Sequence, residues 1–211
     1  MKQSRQHIHT LCECAIMVAL AVALSLVSKF TIGVWLTPLL PFGGTVTFFS
    51  MLPICIISIK HGLGWGLGSA FCFSWFQILE GGVFGWGLTP VMLIGSLLLD
   101  YILAFTVLGL AGIFRKQGTK GMIAGVVLVC VLRFIIHFLA GVILWAELDE
   151  FVAFGQAWVN RPVLYSIVYN GSYMLPETIL TIAGAVLLFR VPQLKKILKL
   201  KDKTQENAEN A

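Results

Sequence analysis

Charge is scarce in this sequence. Only 12% of its 211 residues are Asp, Glu, Lys or Arg, against 58% hydrophobic residues, and the mean hydropathy is +0.89. So small a polar supply cannot cover a water-soluble surface, which excludes the soluble globular classes and makes a bilayer the solvent. The common catalytic motifs are missing as well. There is no Gly-x-x-x-x-Gly-Lys-Ser/Thr phosphate loop and no His-Glu-x-x-His zinc motif. Ser69, Ser96 and Ser172 each follow a glycine, but none has the surroundings of a nucleophile in an intramembrane protease. A row of acidic pore residues, as an ion channel would need, is also absent. The five cysteines (Cys12, Cys14, Cys55, Cys72, Cys130) are odd in number and mostly inside apolar runs, so they read as small apolar filler and not as disulfides. Cys12-Glu13-Cys14 has no second thiol pair, and neither a metal site nor a cofactor is expected.

Long apolar runs are what the sequence does have. Six stretches approach the roughly 20 residues that a membrane-spanning helix requires, at 11–29, 45–60, 63–80, 89–114, 121–146 and 164–189. The expected fold is therefore an all-α integral membrane protein of six transmembrane helices. The net charge of +5 is distributed by loop and not along one face, which speaks for topology and against nucleic acid. Lys2 and Arg5 precede the first run, Lys60 lies between the second and third, and Arg115, Lys116 and Lys120 lie between the fourth and fifth. Arg190, Lys195, Lys196, Lys199, Lys201 and Lys203 follow the last. The 147–163 loop instead carries Glu147, Asp149 and Glu150 against Arg161. By the positive-inside rule both termini face the cytoplasm and the protein sits in the cell membrane. A cleavable signal peptide ending near Ala21-Val22-Ala23 is disfavoured, because the apolar run continues past it. One membrane domain over 1–192 and a basic, polar tail over 193–211 account for the chain.

In the first run, Ala15, Ala19 and Ala23 recur every four residues and give one helix face small enough for another helix to approach closely. Gly64 and Gly68 repeat the spacing in the third run and read as internal packing. Ionisable groups deep in a membrane are costly, so each is a functional hypothesis: Asp100, Arg133, His137 and Glu177. At 1.5 Å per residue, Arg133 and Glu177 lie at similar heights, about 18 Å from the cytoplasmic side, and are expected to form a structural ion pair. Asp100, His137 and Asn170 converge at about 21 Å or more, with Trp145 two turns beyond His137 and Tyr165 nearby. Trp35 and Trp86 lie in outer loops. A carboxylate, an imidazole, a carboxamide and aromatic faces suit a flat heteroaromatic ligand bearing a positive charge or amino groups.

Four stretches resemble a known family. Arg133-Phe134-Ile135-Ile136-His137 continuing to Trp145, Tyr165-Ser166-Ile167-Val168-Tyr169-Asn170-Gly171, and Asp100-Tyr101-Ile102-Leu103-Ala104-Phe105 are similar to helices of the thiamine-binding S components of energy-coupling factor vitamin transporters, and Gly33-Val34-Trp35 to their first outer loop. The resemblance implies capture of thiamine from outside, with Trp35, Tyr101, His137, Trp145, Tyr165 and Asn170 lining the pocket. Asp100 stands where the family pattern usually has Glu. The alanine face resembles the surface that docks on the shared transmembrane coupling subunit, and ATP hydrolysis is implied to reside on two separate ATPase subunits. An S component for another heterocycle, such as riboflavin, would keep the fold and change the pocket.

Overall fold

Helices form where the apolar runs are long, and glycine and proline decide where they turn. The computed structural model of the chain describes residues 2–145, 152–154, 156–158 and 160–198. The acidic residues Glu147, Asp149 and Glu150 and the tail lysines Lys199, Lys201 and Lys203 lie outside the described residues. Helix α1 covers Lys2–Ser28 and continues through a π turn, Lys29–Gly33, into a last turn, Val34–Leu36. Helices α2, Met51–His61, and α3, Leu63–Gly81, are separated by Gly62 alone. Its φ of 98° lies where a side chain would be strained, which lets the chain reverse in one residue.

Helix α4 starts at Pro90, where a missing N–H costs no hydrogen bond, and the Thr89 hydroxyl accepts from the Met92 amide at 3.4 Å as its cap. It runs as Pro90–Ser96, a π segment Leu97–Leu103, Ala104–Thr106 and a 3-10 end, Val107–Leu110. Helices α5, Gly118–Ile143, α6, Pro162–Leu188, and α7, Pro192–Ile197, follow among the described residues. Among the described residues the one strand pairing is a small antiparallel hairpin, β1 Val152–Ala153 with β2 Gln156–Ala157.

Among the described residues four helical stretches are long and apolar enough to cross a membrane: Ser4–Leu36, Pro90–Leu110, Arg115–Ile143 and Pro162–Leu188. The third expected run is helical as Leu63–Gly81, whereas the second is only partly so. Helix α2 begins at Met51, and residues 45–50 stay irregular because Gly43 and Gly44 turn the backbone at positive φ and Thr47 is bound to Glu177. The apolar side chains left exposed along the helices, Ile16, Leu79, Val91, Ile143, Leu175 and Leu187 among them, are what a lipid-facing surface requires. The chain is an all-α membrane protein in this coarser sense.

Close helix contacts depend on small residues, though not on the expected pair. Gly64 and Gly68 face open space. Gly66 and Gly109 make the contact instead: a Cβ on Gly66 would lie 2.7 Å from the Gly109 carbonyl oxygen, and one on Gly109 would lie 2.5 Å from the Leu67 Cα. Ser58 locks α2 into the same junction, donating to the Gly109 carbonyl and accepting from the Gly112 amide at 2.9 Å. Around it lies the main core, with Ile54, Ile57, Phe73, Leu108, Val126, Val129 and Phe189. A second, more aromatic cluster holds Leu40, Met92, Trp145, Tyr165, Tyr169, Tyr173 and Met174. On α1, Ala15, Ala19 and Ala23 are exposed while Ala21 and Ser25 turn inward, so the alanine face is left uncovered by the bundle.

Candidate functional site

The aromatic cluster borders a cavity of about 280 Å³. Asp100 enters it from the π segment of α4, where the widened turn displaces a side chain from regular helical register. Its carboxylate is held on three sides. Ser96 Oγ donates at 3.0 Å and Trp145 Nε1 at 3.2 Å to Oδ2, while His137 Nδ1 lies 3.1 Å from Oδ1. A carboxylate at Nδ1 fixes the proton there, so neutral His137 presents Nε2 as a lone-pair acceptor. Nε2 is buried and has no partner. In a residue only 7% exposed, an unmet polar atom on a cavity wall can accept from a ligand donor.

Asn170 joins α5 to α6. Its Nδ2 donates to the His137 carbonyl at 3.2 Å, to the Ser166 carbonyl at 3.1 Å and to Ser166 Oγ at 3.2 Å, and its Oδ1 accepts from the Tyr173 hydroxyl at 2.9 Å. The amide hydrogens are thus spent within the protein, and only a lone pair on Oδ1 remains for a ligand. Gly141 permits the approach, since a Cβ there would lie 2.3 Å from Ser166 Oγ.

Rings make up much of the rest of the wall. Phe42 and Trp145 have centroids 4.9 Å apart, Trp86 and Trp145 5.9 Å, and Tyr165 and Tyr169 5.3 Å. The segment 40–45 closes one side. Tyr169 donates to the Gly43 carbonyl at 2.8 Å and accepts from the Phe42 amide at 3.1 Å, and Gly44, at φ 99°, passes so close to the Tyr173 ring that a Cβ would lie 2.7 Å from it.

Of the residues expected at the site, Asp100, Tyr101, His137, Trp145, Tyr165 and Asn170 all line this cavity. Trp35 does not. It lies in the last turn of α1, 81% exposed and off the cavity wall, whereas Trp86, the other outer-loop tryptophan, lines the cavity together with Phe42. The expected ion pair is also not formed. Glu177, 1% exposed, accepts from both the amide and the hydroxyl of Thr47. Arg133 instead donates to the Met51 sulfur at 2.9 Å and stacks 4.4 Å from the centre of the Phe105 ring, with Nε unpartnered. Equal height placed these two residues in one layer, but Thr47 and Phe105 were nearer partners.

Tyr169 and Tyr173 were missed, although Tyr165, Tyr169 and Tyr173 repeat every four residues and so share a face of α6. All four tyrosines of the chain line the cavity. Ser25, Gln77 and Glu80 line it as well and were not anticipated. Among the described residues no cluster of three or more His, Cys, Asp or Glu could hold a metal ion.

Comparison with known proteins gives the family. The family described as "Thiamine transporter protein (Thia_YuaJ)" matches residues 11–197. A thiamine transporter, ThiT, of Bacillus subtilis is 35% identical over 210 residues, spanning 93% of this chain and 98% of the relative. ThiT of Lacticaseibacillus paracasei is 30% identical over 208 residues, spanning 92% of this chain and 93% of the relative. A solved structure of ThiT from Listeria monocytogenes superimposes with a TM-score of 0.64 at 25% identity, covering 90% of this chain and 98% of that one. With a matched region that runs through all the helices bordering the cavity, the chain belongs to the thiamine transporter family of multi-pass plasma-membrane proteins.

Proposed function

We propose that the chain is the substrate-binding S component of an energy-coupling factor importer and captures thiamine from outside the cell. The observation that carries this is Asp100, gripped by Ser96, His137 and Trp145 in an aromatic cavity, beside the unpartnered His137 Nε2. Thiamine supplies what that wall lacks. Its exocyclic amine donates to His137 Nε2 and to the remaining lone pairs of Asp100, and its thiazolium cation lies against the faces of Phe42, Trp86 and Trp145 under the attraction of Asp100. Asp100 is one methylene shorter than Glu, and the Ser96 and Trp145 donors fix it at the wall instead of letting it extend. Tyr101 and Tyr165 contribute apolar ring surface and a hydroxyl each. Asn170 acts through position, holding the His137 backbone to α6.

The protein is a transporter component and not an enzyme. Six membrane passages with both termini in the cytoplasm fit the chain best, with α2 as a short passage completed by the irregular residues before it. Two observations support that orientation. Lys60 and His61 at the end of α2 bind Glu13 of α1 at 2.6 and 2.8 Å, and the Arg115 guanidinium lies against Gly62, so basic groups gather at one end of the bundle. The membrane domain extends over 1–192, and the basic helix α7 leads from its last residue into the tail over 193–211. The uncovered Ala15, Ala19 and Ala23 face suits a close helix contact with a transmembrane coupling subunit, and two ATPase subunits supply the energy. The segment 40–45, and not Trp35, closes over bound ligand.

The reading is tested by titrating the purified chain in detergent with thiamine and following Trp fluorescence. Saturable quenching that weakens by tenfold or more in Asp100→Ala and Trp145→Ala is the expected result. Quenching by riboflavin and not by thiamine would move the protein to another vitamin.

A further inference from the structure

The cavity has a second polar wall, opposite in sequence and built from α1 and α3. Ser25 Oγ donates to Glu80 Oε2 at 2.6 Å, and Gln77 Nε2 donates to the same oxygen at 3.0 Å and to Ser25 Oγ at 2.9 Å. The other carboxylate oxygen, Oε1, is buried and has no partner. Lys29 bonds to the Glu80 backbone carbonyl and makes no direct contact with its carboxylate, on which it acts only through space. A carboxylate with one oxygen doubly satisfied and the other buried and bare is set to accept one more hydrogen bond. This wall adjoins the Asp100 wall directly: Gly81, next to Glu80, lies against the Tyr101 hydroxyl so closely that a Cβ would lie 2.1 Å from it.

We propose that Glu80, oriented by Ser25 and Gln77, accepts the terminal hydroxyl of the ligand and thereby selects the free alcohol over its phosphate ester. The proposal rests on the thiamine reading above. With the aminopyrimidine at Asp100 and His137, the hydroxyethyl arm of the thiazolium ring is the part left to reach the second wall, and its hydroxyl is the one donor it carries. A phosphate in that position removes the donor and sets an anion against the Glu80 carboxylate. Both changes act in one direction, because a lost hydrogen bond to a charged group and a like-charge contact each weaken binding.

The test uses the full-length chain in detergent and compares thiamine, thiamine monophosphate and a thiamine analogue in which the hydroxyl is replaced by hydrogen. Wild-type protein is expected to bind thiamine at least about tenfold more tightly than either competitor, and Glu80→Gln to bring the monophosphate to within about threefold of thiamine. The hydroxyl-deleted analogue needs no change in the protein, so a folding defect in the variant cannot mask the result. If wild-type protein binds thiamine and both competitors equally, the assignment of Glu80 is overturned while the function stands. A preference for the monophosphate that disappears in Lys29→Gln would also overturn it, by giving the choice to the rim cation. Failure of wild-type protein to bind thiamine at all would remove the functional reading itself.

Discussion

At Asp100 a single carboxylate organises one end of the cavity, and each of its partners can be removed separately. Trp145→Phe keeps a ring beside Phe42 but deletes the Nε1 bond to Asp100. Thiamine affinity should fall about five- to tenfold in calorimetric titration, less than for Trp145→Ala, which also loses the aromatic face. His137→Phe deletes both the bond to Asp100 and the free Nε2, and is expected to cost more than tenfold. The Asp100, His137 and Asn170 grouping was legible in the sequence because helix rise fixes height, and at one height in a narrow bundle few polar partners are available. Arg133 and Glu177 show the limit of the same arithmetic. Height does not give azimuth, and Thr47, in a segment with no helical period to read, took the Glu177 carboxylate. Glu80 escaped notice because it stands at the end of its helix, where a carboxylate is ordinary.

Helix ends and close approaches carry the next level of organisation. The long runs at 11–29, 121–146 and 164–189 were legible as helices from apolar length alone. The irregular residues 45–50 were not, since Val46, Phe48 and Phe49 join the apolar run of the helix that follows and the glycine pair ahead of them marks the difference. The π segment of α4 was equally hidden, because no residue type signals the extra residue that turns Asp100 inward. Two substitutions test the contacts that glycine permits. Gly141→Ala drives a methyl group into Ser166 Oγ and should destabilise the α5 and α6 junction by about 1–3 kcal/mol, seen as a lower Tm in detergent and weaker thiamine binding together. Gly109→Ala meets the Leu67 backbone instead, and neither residue lines the cavity. It should lower Tm by a similar amount with affinity for thiamine preserved in the folded fraction.

For the whole molecule, the cavity and the proposed coupling face lie on different surfaces. The cavity lies among α1 and α3 to α6, while the alanine face of α1 looks away from the bundle. Ala19→Trp should therefore leave thiamine binding unchanged and abolish thiamine uptake in vesicles that contain the complete importer, by holding the partner helix off. The Tyr169 hydroxyl, which joins α6 to Phe42 and Gly43, has a further consequence. Neither of its two hydrogen bonds uses a ligand atom, so both are open to the empty and to the occupied protein alike. They hold the segment 40–45 against α6, and a ligand that enters past this segment has to part them. Residence time, and not equilibrium occupancy, is the quantity they govern: in stopped-flow experiments Tyr169→Phe should raise the association and dissociation rates together, by roughly fivefold, with little change in Kd. An importer that hands its cargo to a slower partner gains from such a delay, because ligand that lingers is still on board when the partner arrives.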